Sequence, residues 1–570
     1  MTEPTRAQER PVETLNGAPA PVGDPGNPMA VSSVSVDGRA VTTADHSGPG
    51  VSGGDPPAAR TDAPGPGGGE LGPGADAPPP GGDQPGPGGD AHSVGATVGT
   101  MFGRDSLYML ASSLQLLSGV IVTPIMTRVL GLHQYGIFAA DLALLYVLYY
   151  TANLGMNIGI QRLFSQPDGE RKSRNLLAAA LVMVTAITGL VYLTGPLWSP
   201  HLGFGPFPLS TQLTVIWSGL FAMTWICLAL LRCNERLLVF ATVCLMQAVI
   251  GIGAGTVYAF ANQRLASEVL TVAVIVQACA VGLSLVTIPP HWKGIFDFHT
   301  VRTTLSFSIP IVPLQISTFV MSAADRFVIL RELGPGPTGR YQVAYTLGAV
   351  GVSMLTFLNL AWLPRIFAIK DRRTRAAVLA HSRDGLYQLL VPVTIGIALG
   401  GPIALKIWAP PSFRTQQLIP VIVLVVISTI PVCTSFVHSR LMLSEGRSGT
   451  VAIVTVIAAL VNIGLNLALV PVWGINGSAL ATTLTYSVLA SGMALLSRRL
   501  LVLPRPPLVL WGQLIAAVAV ILASYAIPAH GIWIWVRLAG VVVCTVIAAR
   551  TVRRLQKSGS AEVRSASAAA

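Results

Sequence analysis

From about residue 106 to residue 550 the chain alternates long apolar stretches with short polar ones, and the apolar stretches have the length of membrane spans. An α-helix rises 1.5 Å per residue, so about 20 apolar residues cross roughly 30 Å of hydrocarbon. Backbone facing lipid has no water to bond, so each such run satisfies its own hydrogen bonds as a helix. About fourteen runs are expected by this measure, centred near residues 118, 148, 186, 223, 249, 279, 316, 353, 396, 429, 460, 486, 517 and 541. Turns rich in Gly, Pro and charge separate them. The pattern predicts an all-α polytopic protein.

Composition agrees with the pattern and divides the chain in two. Hydrophobic residues make up 52%, charged residues 11%, and the mean hydropathy is +0.62, so most of the length is solvated by lipid. Residues 1–100 are different: twelve acids stand there against four bases in a tract of Pro, Gly and Ala. Such a tract buries too little apolar area to offset chain entropy and is expected to be a disordered cytoplasmic tail. No apolar segment opens it, so a cleaved secretory signal is not expected. It is either an inert extension or a docking arm for a biosynthetic partner.

The six cysteines fall in or beside apolar runs, where they act as small hydrophobes. The sequence has no C-x-x-C or H-E-x-x-H metal motif and no phosphate-cradling G-x-x-x-x-G-K-[ST] loop. No cofactor, no metal and no nucleic-acid partner are expected. The gaps expected outside are short and lack the paired carboxylates of a glycosyltransferase, so an enzyme is not expected.

Numbered in order, the even gaps together with Arg104 and the segment RTVRRLQK hold more than twenty Lys and Arg, against six in the odd gaps. Basic residues concentrate on the cytoplasmic side, which places the even gaps and both termini in the cytoplasm of a cell-membrane protein.

A repeat organises the runs. Without a gap, Arg128 aligns with Arg331, Gly131 with Gly334, Gly136 with Gly339, and QRLF (161–164) with PRIF (364–367). Four landmarks in one register indicate duplication. Six helices separate the copies, and an even number keeps them the same way up, as in the parallel type of transporter repeat. The expected organisation is the tail (1–100), an N-terminal six-helix bundle (101–303), a C-terminal six-helix bundle (304–500), two additional helices (501–552) and a short basic cytoplasmic tail (553–570).

Polar residues fall in stripes. Ser308, Gln315, Thr318, Ser322 and Asp325 share one face of the seventh helix, and Ser112, Gln115 and Gly119 take the matching register in the first. The second helix carries Tyr146, Tyr149, Tyr150, Asn153, Asn157 and Gln161 on one side, with Gly155 and Gly159 roughly opposite, where a neighbour could approach closely. These stripes either line a shared cavity or bond between helices. The substrate-cavity candidates are Gln115, Asn153, Asn157, Gln315, Thr318, Ser322, Asp325, Arg326 and Asn359.

Charges at membrane depth are functional candidates because stranding them in hydrocarbon is costly. Asp325 and Arg326 either pair with each other or touch substrate. Asp141 caps, pairs or carries a coupling ion, so Asp141 and Asp325 are the candidates for coupling to H⁺, Na⁺ or membrane potential. Arg128, Arg162, Arg331 and Arg365 stand at helix ends. Snorkelling explains them, while their repeat symmetry makes them rim candidates for phosphate, which a guanidinium fork suits. Pro124, Pro310, Pro313 and Pro364 remove backbone bonds and permit bending.

The order and spacing of TRVLGLHQYGIF, LGMNIGIQRLF, ADRFVILRELGPGPTGRYQVAY and VNIGLNLALVPVWGINGSALATTLTYSV resemble the polysaccharide (Wzx-like) flippases of the multidrug, oligosaccharidyl-lipid and polysaccharide exporter superfamily, over about residues 103–499. The resemblance implies two six-helix bundles in a V around a central cavity, with Leu508 to Arg550 as two extra helices. It implies alternating access that turns a polyprenyl-diphosphate-linked oligosaccharide across the cytoplasmic membrane, with membrane lipid and lipid-linked glycan as partners. Three rival readings stand beside it: a peptidoglycan-precursor (lipid II) flippase, a drug or cation antiporter of the same superfamily, and a non-transporting scaffold for polysaccharide assembly.

Overall fold

A computed structural model describes the backbone of residues 122–356 and 371–568, with side chains as far as Leu555. The tail expected over residues 1–100 lies outside the described residues. Every described regular element is helical. In order they are α1 (Val122–Asn153), α2 (Met156–Phe164), α3 (Gly169–Leu193), α4 (Leu209–Cys233), α5 (Leu237–Ala261), α6 (Ala266–Thr287), α7 (Phe298–Ala323), α8 (Asp325–Leu333), α9 (Pro335–Gly348), α10 (Arg372–Trp408), α11 (Ile419–Ser444), α12 (Ser448–Arg498), α13 (Leu508–Ser524) and α14 (Trp533–Ala568), with short 3₁₀ and α turns between some of them. The basic segment expected as a tail from residue 553 continues the last helix to Ala568.

Ten of the described helices are long and apolar enough to cross a membrane, and α13 is a shorter apolar one. The difference from about fourteen has several sources: the runs expected near 118 and 353 lie partly outside the described residues, α13 is short, and α12 joins two runs across a kink. The 51-residue α12 would be about 76 Å long if straight, far more than one bilayer. It folds back at Gly474, whose φ of 58° and ψ of −141° only glycine adopts readily. Pro471 three residues earlier weakens the same turn. The two legs pack so closely that a Cβ on Gly477 would fall 2.3 Å from the Leu469 carbonyl oxygen. Helix α1 turns likewise at Gly131, with φ 68°.

The outward faces of these helices carry large apolar side chains. Ile453, Ile457, Leu460 and Leu467 on α12 and Val542, Val543, Val546 and Ile547 on α14 are exposed. Rows of this extent are not left to water by a folded protein, so they are read as lipid-facing. Aspartates start two of the helices on the side expected to be cytoplasmic. The Asp297 carboxylate accepts from the Thr300 N–H at 3.1 Å and starts α7. Asp371 accepts from the Thr374 N–H at 2.7 Å and its hydroxyl at 2.6 Å and starts α10. These bonds hold both carboxyls below the usual carboxylate range. Across the same end, Glu445 after α11 takes Arg372 at 2.5 Å and Arg375 at 3.1 Å, tying α10 to α11.

The two additional helices are fixed to the second bundle by a residue that the periodicity did not single out. Arg537 on α14 is fully buried and gives its donors to backbone oxygens alone. Nη2 reaches Ser524 at 2.7 Å and Ile527 at 2.5 Å, Nε reaches Pro528 at 3.3 Å, and Nη1 reaches Leu399 at 2.9 Å and Ala398 at 3.5 Å. Those acceptors need a donor. Ser524, Ile527 and Pro528 end α13, where the last carbonyls lack helical partners. Pro402 in α10 has no N–H to give Ala398 four residues back. Lys406 makes a parallel contact to the Ala529 carbonyl.

Replacing Arg537 by Met keeps the packing volume but leaves these carbonyls unsatisfied in an apolar site, a cost on the order of 3 kcal/mol. Thermal unfolding of the purified protein in nanodiscs should show a clear drop in Tm for R537M and partial recovery for R537K. An unchanged R537M midpoint would contradict this assignment.

Candidate functional site

The two repeat copies meet through the turns that first revealed them. Gly131 and Gly334, equivalent by sequence, both take positive φ, at 68° and 86°, which lets the chain reverse with no Cβ penalty. Five residues on, Gly136 and Gly339 are packed backbone to backbone. A Cβ on Gly136 would fall 1.8 Å from the Pro335 carbonyl oxygen, and one on Gly339 would fall 2.8 Å from the Leu132 oxygen and 3.1 Å from the Gly136 nitrogen. No side chain fits at either position.

The repeat arginines brace this joint reciprocally. Arg128 donates to the Ile407 carbonyl at 2.5 Å at the end of α10, and Thr127 bonds the Trp408 carbonyl at 2.6 Å. Arg331 donates to the His201 carbonyl at 3.4 Å in the loop after α3, while Gly203 lies against the Arg331 backbone. Each copy thus reaches beyond the third helix of the other. In this arrangement both arginines, expected as rim phosphate candidates, are exposed and partly engaged with backbone oxygens. Arg162 lies at the opposite end of its helix pair and stacks over Phe307, 4.1 Å from the ring centroid. Arg365 lies outside the described residues, as do Gln115 and Asn359.

Helices α1 and α7 run against each other below the joint. Tyr146 and Tyr150 meet Phe319 with ring centroids 5.4 and 6.0 Å apart. Tyr149 packs on Phe221. The expected separation of tyrosines and glycines onto opposite faces is corrected here: Gly155 closes on Ser308 and Gly159 on Thr304, so both sets face α7. The reason is a break in helical phase, since Leu154 and Gly155 take φ of 48° and 70° between α1 and α2. Single-period reasoning across that break rotates the second segment wrongly.

Asp325 and Arg326 form a closed network in the C-terminal bundle, 1% and 4% exposed. Arg326 Nη1 bonds Asp325 Oδ1 at 2.5 Å and the Ser322 carbonyl at 2.5 Å, and Nε bonds Gln342 Oε1 at 3.0 Å. Tyr341 donates to Asp325 Oδ2 at 2.5 Å and Ser478 does so at 3.4 Å. The guanidinium carbon sits 4.1 Å from the Tyr345 ring centroid. The charges therefore neutralise each other and hold α8, α9 and α12 together. Tyr341, Gln342, Tyr345 and Ser478 were not singled out from sequence. Tyr341 follows Asp325 by sixteen residues, and only the turn at Gly334 brings the two together.

Asp141 is fully buried in α1 under different conditions. Thr211 at the start of α4 donates to Oδ1 at 3.2 Å, the hydroxyls of Ser210 and Thr214 stand nearby, and Oδ2 has no hydrogen-bond partner among the described residues. A buried carboxylate facing only hydroxyls calls for a proton or a cation. Asn153 is buried with its Nδ2 unpartnered, while its Oδ1 accepts from the Asn157 N–H at 3.3 Å. Gln315 and Ser322 are half-buried and Thr318 is exposed on α7.

Comparisons with known proteins bear on this architecture. Residues 104–370 match the family model described as "Polysaccharide biosynthesis protein". No curated protein sequence matches the chain. Among solved structures, the fold is similar to the lipid II flippase MurJ in an inward closed conformation, at 15% identity and a TM-score of 0.59, over 79% of this chain and 99% of that one. It is similar to an inward-facing multidrug resistance MATE family transporter of the MOP superfamily, at 13% identity and a TM-score of 0.52, over 69% and 94% of the two chains. It is also similar to the MATE multidrug transporter DinF-BH in complex with R6G, at 15% identity and a TM-score of 0.52, over 70% and 95%. Residues 104–370 thus resemble the polysaccharide biosynthesis protein family, and the all-helical fold is similar to those of a lipid II flippase and of multidrug transporters.

Proposed function

We propose that the protein is a transporter that turns a polyprenyl-diphosphate-linked oligosaccharide from the inner to the outer leaflet of the cytoplasmic membrane for polysaccharide biosynthesis. The observation that carries this reading is the family match over residues 104–370 on a flippase-like fold. The geometry supports it. Two halves joined by glycine backbone contacts, arginine–carbonyl bonds and the Tyr135–Phe413 and Phe204–Phe327 ring contacts can part at that end while the Asp325–Arg326 network stays whole within its own bundle. The basic bias of the even gaps puts the Gly136–Gly339 joint outside and both termini in the cytoplasm. The acidic tail then serves as a cytoplasmic docking arm for glycan-biosynthesis proteins.

The two coupling candidates are separated by their partners. Asp325 has Arg326 as counter-charge, whereas Asp141 has hydroxyls and a free oxygen. Asp141 is therefore assigned the coupling ion, and Arg326 the positioning of α8 and α9. A lipid II substrate is the second reading, favoured by the fold similarity to a lipid II flippase. Both substrates share the polyprenyl diphosphate and differ in the glycan.

Deletion of the gene should leave lipid-linked oligosaccharide accumulating in membrane extracts analysed by mass spectrometry, with lipid II at its normal level. Accumulated lipid II instead would support the second reading, and no accumulation of either would overturn both. In proteoliposomes carrying a fluorescent polyprenyl-diphosphate oligosaccharide, Asp141→Asn should slow gradient-driven translocation by about tenfold or more, equivalent to ~1.4 kcal/mol of barrier, and D141E should recover part of it. Gradient-dependent transport undiminished in D141N would remove Asp141 from the mechanism.

A further inference from the structure

A second site stands beside the joint. A cavity of about 540 Å³ opens in the C-terminal bundle between the turn that follows Gly334, the segment between α10 and α11, the fold-back of α12 and the end of α13. Its volume is that of a small-ligand site, roughly 300–1,000 Å³. The wall chemistry is specific. Trp473 and Tyr525 present aromatic surface, Gln416, Gln417 and Asn476 present amides, Arg340 presents a guanidinium, and among the described residues no acidic one lines it. Arg414 is close enough to Arg340 for the two charges to repel. Arg340 Nε and Asn476 Oδ1 are buried and make no hydrogen bond among the described residues. Polar atoms left without partners in a wall await a ligand or water.

We infer that this cavity binds an acidic oligosaccharide, with sugar faces on Trp473 and Tyr525, hydroxyls on the amides, and a carboxylate on Arg340. Aromatic rings offer apolar faces to the C–H surfaces of sugars, amides match hydroxyls as both donors and acceptors, and a guanidinium fork matches a carboxylate. The wall's positive balance excludes a cationic occupant. The inference rests on the proposed glycan transport and its orientation, which put the cavity on the outer side, where the glycan of a turned substrate emerges. Arg340 directly follows Gly339 of the joint, so a bound glycan contacts the turn whose partner lies in the other half.

Calorimetry on the full-length protein in zwitterionic nanodiscs, with trigalacturonate and neutral maltotriose as probes, tests this directly. Trigalacturonate should bind at least tenfold more tightly than maltotriose. R340Q should abolish that preference, R340K should keep it, and W473A should weaken both sugars tenfold while the protein stays monodisperse. Failure of either sugar to bind, or an unchanged preference in R340Q, would overturn the inference. In a second set of nanodiscs containing phosphatidylglycerol trigalacturonate should still bind, and its complete exclusion there would overturn the inference and make the cavity a lipid headgroup site. The readout is binding to purified protein, so a deletion strain without accumulated lipid-linked oligosaccharide would defeat the transport reading and leave this result standing.

Discussion

The contact of Gly136 with Pro335 and Gly339 organises the molecule. Two backbones approach there more closely than any side chain allows, and they do so at equivalent places in two copies of one unit. Around it Tyr135 packs on Phe413, within one apolar core that draws on both halves, and Phe204 packs on Phe327, so opening at this end must separate these contacts as well as the glycine backbones. The same turns set what lies around it. Asp141 follows Gly136 by five residues, Asp325 and Tyr341 flank the turn at Gly334, and Arg340 carries that turn into the polar cavity.

Several cations in this protein meet backbone oxygens across elements. Arg128, Arg331, Lys406 and Arg537 all end on carbonyls at helix ends or beside a proline. For the fully buried Arg537 this satisfies acceptors that lack a helical partner, while Arg128 and Arg331 make the same kind of bond at an exposed rim. Asp325–Arg326 is instead a charge pair enclosed by Tyr341, Tyr345, Gln342 and Ser478. Removing one member would strand the other, which is the costly outcome for a buried pair. Asp141 has no such partner among the described residues, and that asymmetry distinguishes the two acids.

Much of this was legible in the sequence because lipid imposes a simple rule on length and polarity. The all-helical, membrane-spanning character and the glycines at the paired turns follow from hydropathy and register alone. Pro471 and Gly474 stood out as part of the resemblance, and they form the fold-back between runs expected near 460 and 486. What was not legible depends on distance in the chain. The roles of Arg537 and Tyr341 follow from acceptors that tertiary packing brings to them, and neither belongs to a periodic stripe. The phase of Asn157, Gly155 and Gly159 was obscured by the reversal at Leu154–Gly155, since a 3.6-residue period holds only within an unbroken helix. Gln115, Asn359 and Arg365 lie outside the described residues.

The central claim is that the two copies part at the glycine joint during turnover. Spin labels at His133 and Glu332, exposed on the two turns, report that separation by double electron–electron resonance in nanodiscs. The account predicts a short distance that gives way to a second, longer population when polyprenyl-diphosphate oligosaccharide and an ion gradient are supplied. One short distance under every condition would contradict it.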